Sequence, residues 1–254
     1  MTGIEIGPLT APLVSKDDGT IFYVDHADTE TLRRKYELAP DTDPAQIVPV
    51  DMVWGQRTLQ ECLGVDCKID YVVNAHVVEH VPDLVTWLAE IHSVLKPGGW
   101  LRMAIPDRRY TFDFLRAEST LLDALDAYVR KPRAPSPRVI LDHFLHYADI
   151  DVEKAWQGKL ARDRIHPAHT PEFAIETAER FFRSGDYQDV HCWVFTPRTF
   201  AELCLELVRL ELLSFTCDAL YPTEKRDIEF IVSMRAAETS AECTASWRDA
   251  LERC

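Results

Sequence analysis

Short apolar runs alternate with stretches of helical period through the first hundred residues. That rhythm restricts the chain to a largely parallel sheet covered by helices. Ile69-Asp70-Tyr71-Val72-Val73 is a dense β-branched and aromatic run, the composition of a strand inside a sheet. A helix is predicted from Pro82 or Asp83 to Leu95, because Leu84, Leu88, Ile91 and Leu95 recur at spacings of four, three and four. Lys96-Pro97-Gly98-Gly99 stops it, and residues 100–105 read as the next strand.

The same reading gives strands over residues 4–6, 21–24 and 47–50, with Pro49 placing the third at an edge. Helices are expected over 29–36 and 59–63. From 106 to 190 the rhythm changes to three helices, over 121–129, 139–148 and 171–183, with a proline-rich stretch at 132–137. This is read as a helical insertion over one end of the sheet, serving as a lid or acceptor pocket. A helix from Thr196 to about Leu210 and two antiparallel strands, 214–219 and 228–234, close the fold. The expected class is α/β: a Rossmann-like, seven-stranded, mostly parallel sheet with helices on both faces and the insertion after strand five. One domain spans 1–236, and 237–254 reads as a weakly patterned tail, frayed or a short helix.

Net charge is −14, from 42 acidic against 28 basic residues. Such a field repels nucleic acid and anionic membrane surfaces at distance, so neither is an expected partner. No apolar run approaches the roughly eighteen residues a membrane span requires, and the first residues lack a basic segment followed by an apolar one. A cytoplasmic protein is expected. Seven cysteines, an odd number, without paired zinc spacing imply reduced thiols.

Open α/β sheets bind ligands at the carboxyl ends of their strands, and here those ends are polar. Strand one ends in Glu5-Ile6-Gly7-Pro8, strand two in Asp25, strand three in Asp51, strand four in Asn74-Ala75-His76. Gly7 lets the backbone approach a ligand closely, Asp25 is placed for ribose hydroxyls, and Asp51 can accept from an adenine amine. Glu5 and the backbone of residues 74–76 face an amino-acid tail. With the neighbouring His26 and Met52, these residues form the predicted cofactor site.

The run from Asp70 to Asp83, containing His76-Val77-Val78-Glu79-His80, followed by Leu95-Lys96-Pro97-Gly98-Gly99, resembles the class I S-adenosylmethionine-dependent methyltransferases. Glu5-Ile6-Gly7-Pro8 and Tyr23-Val24-Asp25-His26 are similar to that family's first two motifs. The resemblance implies S-adenosyl-L-methionine as cofactor and methyl transfer to a small acceptor. Residues 105–113 and 189–197 resemble a bacterial subgroup found beside, or fused to, glycosyltransferases. By association, that implies a carbohydrate-like or glycan acceptor, O-methylation and a glycosyltransferase partner. One departure stands out: the first loop has a single glycine where most members have two or three. A nicotinamide dinucleotide needs a glycine-rich turn for its pyrophosphate, so an oxidoreductase is disfavoured. A non-catalytic member of the fold, partnering a glycosyltransferase, is the other alternative.

Methyl transfer to a hydroxyl needs alignment and a base. The candidates are His76 and His80 after strand four, Asp107 and Tyr110 after strand five, and His191 where the insertion rejoins the sheet. Trp193 reads as pocket or core, and Arg108 and Arg109 as acceptor contacts or a solvated pair. The pairs His143/His146 and His166/His169 have metal-like spacing but no accompanying carboxylate, so no metal is expected.

Overall fold

A computed structural model describes residues 1–39, 42–55, 57–64, 67–185 and 188–253. Seven strands form one sheet: β1 (Thr2–Ile6), β2 (Thr20–Asp25), β3 (Met52–Val53), β4 (Ile69–Ala75), β5 (Leu95–Pro106), β6 (Phe215–Tyr221) and β7 (Glu229–Ala236). Their order is β3-β2-β1-β4-β5-β7-β6. All pairs are parallel except β5–β7 and β6–β7, so the sheet is the mostly parallel one expected. The strand order reverses between β1 and β4, which opens a crevice at their carboxyl ends.

Helices α1 (Thr29–Lys35), α2 (Leu59–Leu63) and α3 (Leu84–Val94) follow β2, β3 and β4. Asp28, Thr58 and Asp83 cap their N-termini, each accepting a backbone N–H. α3 turns Leu84, Val85, Leu88, Ile91 and Val94 inward, as its sequence period requires.

Between β1 and β2 there is no helix. Residues 7–19 cross as irregular chain, and two side chains fasten them to the strands. Glu5 accepts the amides of Leu13 and Val14 at 2.7 and 3.0 Å. The Tyr23 hydroxyl donates to the Val14 carbonyl at 2.9 Å.

The third strand is displaced from its predicted place. Residues 47–50 are not a strand; Ile47 is buried, and its neighbour Val48 donates to the Leu9 carbonyl. Pairing with β2 begins only at Met52, opposite Val24. Pro49 has no N–H for a ladder, so the apolar run packs without pairing. Residues 96–99 loop out of β5, which pairs Leu95 with Ile69 and Trp100 with Tyr71; Gly98 takes φ +74° there, and the chain turns within the strand.

The segment after β5 carries α4 (Leu121–Arg130), α5 (Pro137–His146), α6 (Val152–Trp156) and α7 (Pro171–Ser184). α5 and α7 pack together over Ile140, Ala178 and Val190, a small core separate from the main one. α8 (Pro197–Arg209) and α9 (Ser240–Arg253) pack on each other and on β6. Of the two readings of this stretch, residues 240–253 take the helical one: Cys243, Trp247 and Ala250 of α9 are buried in the main core.

Cys62, Cys67, Cys192, Cys204, Cys217 and Cys243 are free thiols; Cys254 lies outside the described residues. Among the described residues no helix is long and apolar enough to cross a membrane.

Candidate functional site

The parallel strands bring their polar ends to one edge, but the side chains there do different work. Glu5 is buried and occupied with the first loop. Burial raises its carboxyl above the ordinary value, and the two loop amides pull against that rise. Gly7 adopts φ +68°, and a Cβ there would lie 2.7 Å from Val77 Cγ2, so only glycine lets the loop pass this close to the turn after β4. Asp25, also buried, accepts the His26 amide at 2.7 Å and lies 2.6 Å from His26 Nδ1. Met52 pairs with Val24 and Ala75 with Ala104, which places both at this edge.

Asp51 sits one step back, beside Tyr23. One oxygen accepts from Lys16 Nζ at 2.7 Å and the other from the Tyr23 amide at 2.8 Å. Both oxygens have partners within the fold. Asn74 contrasts with it. It is buried between Ile6 of β1 and Met103 of β5 in register, and neither its Oδ1 nor its Nδ2 has a hydrogen-bond partner. A buried amide left unsatisfied costs about 1–3 kcal/mol, so this position is built for something besides packing.

Beyond Asn74 the chain turns sharply. His76 has φ +52°, a left-handed conformation uncommon outside glycine. Its Nε2 lies 2.5 Å from Glu229 Oε2 and its Nδ1 3.5 Å from Glu79 Oε1. The two carboxylates, Glu229 foremost, outweigh burial and hold the imidazole proton up to about 10. With its proton held by two carboxylates, His76 is placed to donate hydrogen bonds and not to act as a base.

Val78, Glu79 and His80 form a short 3-10 turn that aims Glu79 inward. Glu79 is 1 % exposed, and neither carboxylate oxygen has a hydrogen-bond partner. Three imidazoles surround it: His76, His80 with Nε2 at 3.8 Å and His191 with Nε2 at 3.9 Å. The far sides of the last two rings are fixed by carboxylates. Asp189 Oδ1 lies 2.8 Å from His80 Nδ1, and Asp113 Oδ2 lies 2.6 Å from His191 Nδ1. Lys35 and Arg116 compensate these acids, with Lys35 Nζ 2.9 Å from Asp189 and Arg116 Nη1 2.8 Å from Asp113. Burial opposes ionisation of both acids, yet His80 and Lys35 hold Asp189 well below the carboxylate range, and His191 with Arg116 holds Asp113 at about 2.

Residues 12–207 match a family model described as a methyltransferase domain. The chain belongs to that family. This methyltransferase is an enzyme of class I, and its cofactor is S-adenosylmethionine. No curated protein matches the chain. Solved structures similar to it include an S-adenosylmethionine-dependent methyltransferase from Mesorhizobium loti, 14% identical, with 92% of this chain and 90% of that chain covered and a TM-score of 0.42. S-adenosylmethionine-dependent methyltransferases from Methanosarcina mazei are 13% identical, with 94% and 93% covered and a TM-score of 0.42. The CcbJ methyltransferase from Streptomyces caelestis is 11% identical, with 93% and 89% covered and a TM-score of 0.46.

The strand-end residues of this methyltransferase fit a nucleoside carrying an amino-acid tail. The unsatisfied Asn74 amide offers a donor and an acceptor, Gly7 leaves backbone open at close range, and Asp25 supplies a buried carboxylate at the end of β2.

The other predicted catalytic groups have partners of their own outside the imidazole cluster. Asp107 is fully buried at the end of β5; it accepts Arg109 Nε and Nη2 and, at 2.7 Å, the Thr223 hydroxyl. It braces the loop after β5. Tyr110 stacks on Trp156 at 4.0 Å with an interplanar angle of 5°, and the Arg109 guanidinium lies over its ring. Arg108 donates to the Phe114 carbonyl. Trp193 is core, its indole donating to the Val81 carbonyl at 2.6 Å.

The sequence pairs His143/His146 and His166/His169 do not converge. His143 is buried edge-on against Phe112 and Phe144; burial, then the nearby Arg116, push it down to about 3. His146 faces Asp142, while His169 stacks on Phe173. The groups that sequence reasoning missed are Glu79, Asp113 and Asp189.

Proposed function

We propose that this methyltransferase transfers its methyl group to an oxygen of a small, carbohydrate-like acceptor. The observation that carries the reading is the Glu79–His80–His191 cluster at the carboxyl end of β4, next to the proposed cofactor residues. A hydroxyl must lose its proton on methylation, and a group of fixed imidazoles and a carboxylate is suited to take it. An amine, which attacks through its own lone pair, needs this least.

In this reading Gly7, Asp25, His26 and Asn74 hold the cofactor, with Met52 and Ala75 lining the edge beside it. Glu5 acts through the loop that it fastens. Asp51 serves the adenine end only by giving up its contact with Lys16. When bound, S-adenosylmethionine supplies a sulfonium methyl that departs on nucleophilic attack. His76, kept protonated, donates a hydrogen bond at the boundary between cofactor and acceptor. His80 and His191 face the acceptor oxygen side, each with its ring oriented by an acid.

The segment 106–190 supplies the acceptor wall. Its stacked Tyr110–Trp156 pair is a flat aromatic ledge, the kind of surface on which sugar rings rest. A groove of about 170 Å³, lined among others by Pro82, Arg116, Asp142 and Cys192, runs along the same segment. A glycosyltransferase acting on the same glycan is the partner this reading implies.

Methyl-labelled S-adenosylmethionine offered with a panel of sugars and nucleotide sugars tests the reading. A labelled methyl ether, detected by ¹³C NMR and lost in Asn74→Ala together with cofactor affinity, is the expected outcome. Label appearing only on carbon or nitrogen acceptors overturns it.

A further inference from the structure

We infer that Glu79, His80 and His191 form a binding site for one divalent transition-metal ion of the zinc or iron(II) type. The inference rests on the proposed reading of this edge and deepens it: the three side chains that face the acceptor hydroxyl there would hold an ion that lowers its affinity for its proton.

The first support is the buried charge of Glu79. A carboxylate with almost no exposure is costly unless cations and hydrogen bonds compensate it, and His76 Nδ1, at 3.5 Å from Oε1, does so from one side only. The other two imidazoles do not hydrogen-bond it. His80 Nε2 and His191 Nε2 stand 3.8 and 3.9 Å from Glu79 Oε1, beyond the hydrogen-bond range. Those separations suit a shared ion better. With bonds of about 2.0–2.2 Å and near-tetrahedral angles, two ligand atoms on one ion lie roughly 3.3–3.5 Å apart. The three ligand atoms all fall within 4.8 Å of one another, so binding needs only a modest contraction.

The second support is independent of Glu79. Each histidine presents its Nδ1 to a carboxylate, His80 to Asp189 and His191 to Asp113. A carboxylate that accepts a hydrogen bond from Nδ1–H fixes the tautomer with its lone pair on Nε2, facing Glu79. That outer pairing is the one metal-bound histidines use, and it raises ligand basicity as it orients the ring. Two such pairs, on turns from separate parts of the chain, converge on the same buried carboxylate.

Two imidazoles and one carboxylate select zinc, iron(II) or cobalt(II) over magnesium or calcium, which prefer oxygen ligands. His80 keeps 26 % of its side-chain surface exposed, so solvent or a bound molecule can reach this end of the cluster. An ion there supplies Lewis acidity to a bound hydroxyl.

The test titrates cobalt(II) into the full chain after chelator treatment and follows its visible absorption bands. One equivalent with intense tetrahedral-type bands, displaced by zinc, is expected. Glu79→Gln, nearly isosteric, and His191→Ala should abolish the bands, whereas His169→Ala should leave them unchanged. Asp113→Asn should weaken affinity on the order of 10–100-fold. Wild-type protein binding less than one equivalent, or Glu79→Gln giving the wild-type spectrum, overturns the inference. Circular dichroism of each variant separates lost ligation from lost folding, and Glu79→Gln decides the matter if His191→Ala does not fold. S-adenosylhomocysteine binding, measured on the chelated protein, reports on the cofactor site separately.

Discussion

The Nδ1 of His191 lies 2.6 Å from Oδ2 of Asp113, and both side chains are almost fully buried. Asp113 comes from the turn after β5 and His191 from the return of the helical segment to the sheet, so this contact helps to tie the two ends of the segment together. Arg116 completes it, bonding Asp113 through Nη1 and Asp142 through Nε.

Acid should therefore loosen the segment. Burial alone would raise the Asp113 carboxyl, but His191 and Arg116 hold it at about 2 against an ordinary 3.8. A carboxyl lowered by folding stabilises fully above its unfolded value and loses that contribution as pH falls through the folded one. The window lies between about pH 4 and pH 2, and the contribution is on the order of 2 kcal/mol. Asp113→Asn should flatten the acid-unfolding curve there. At neutral pH it should cost about 3 kcal/mol or more, since the buried Arg116 loses a counter-charge. Urea midpoints across that range measure both effects; an unchanged acid slope in the variant would refute the assignment.

His76 behaves in the opposite sense. Its folded value is raised to about 10 from 6.5, chiefly by Glu229 and then by Glu79. Its stabilising contribution is complete below the unfolded value and is lost as pH rises through the folded one. The wild-type imidazole should hold its proton well past neutrality in an NMR titration. Glu229→Gln should release it at markedly lower pH. Equal titration curves for the two proteins would show that the 2.5 Å contact with Glu229 does not govern this proton.

Gly7 offers a test of the single-glycine loop. Alanine there meets two separate penalties, a left-handed φ of +68° and a 2.7 Å approach to Val77 Cγ2. The backbone penalty is about 1–2 kcal/mol. Val77→Ala removes the clash and leaves the φ penalty. Gly7→Ala should thus cost less in a Val77→Ala background than in the wild type, by roughly 0.5–3 kcal/mol of coupling in a double-mutant cycle. Additive costs would mean that the loop moves aside and that Val77 does not define its path.

The sheet was legible because its evidence is local. Leu84, Leu88 and Ile91 declare a helix by spacing, and Val72 and Val73 a strand by branching. Residues 47–50 misled because an apolar run reads the same whether it pairs or packs, and Pro49 had already excluded most of a ladder. The polar strand-end edge was legible only as a row of residues. Nothing near Asp51 in sequence shows that Lys16 and the Tyr23 amide will occupy it. Glu79 did carry a local signal, an acid in the otherwise apolar run Val77-Val78-Glu79-His80-Val81. Asp113 and Asp189 carried none, since their partners lie 78 and 109 residues away along the chain, a difference of numbering that only the fold closes.

α9 is where sequence polarity hides a core element. Its surface-like composition conceals Cys243, Trp247 and Ala250, which share one face at spacings of four and three. Trp247 is fully buried; its indole donates to the Phe215 carbonyl at 2.9 Å, and its ring meets Phe200 edge-on at 6.2 Å. Trp247→Ala should cost about 3–5 kcal/mol. Trp247→Phe keeps most of the apolar contact but leaves the Phe215 carbonyl without its donor, so it should cost about 1–3 kcal/mol. Because β6 pairs with β7 and β7 with β5, the loss should spread through the sheet and appear in global unfolding by urea. If Trp247→Ala unfolds within a few tenths of a kcal/mol of the wild type, α9 is an appendage and not part of the core.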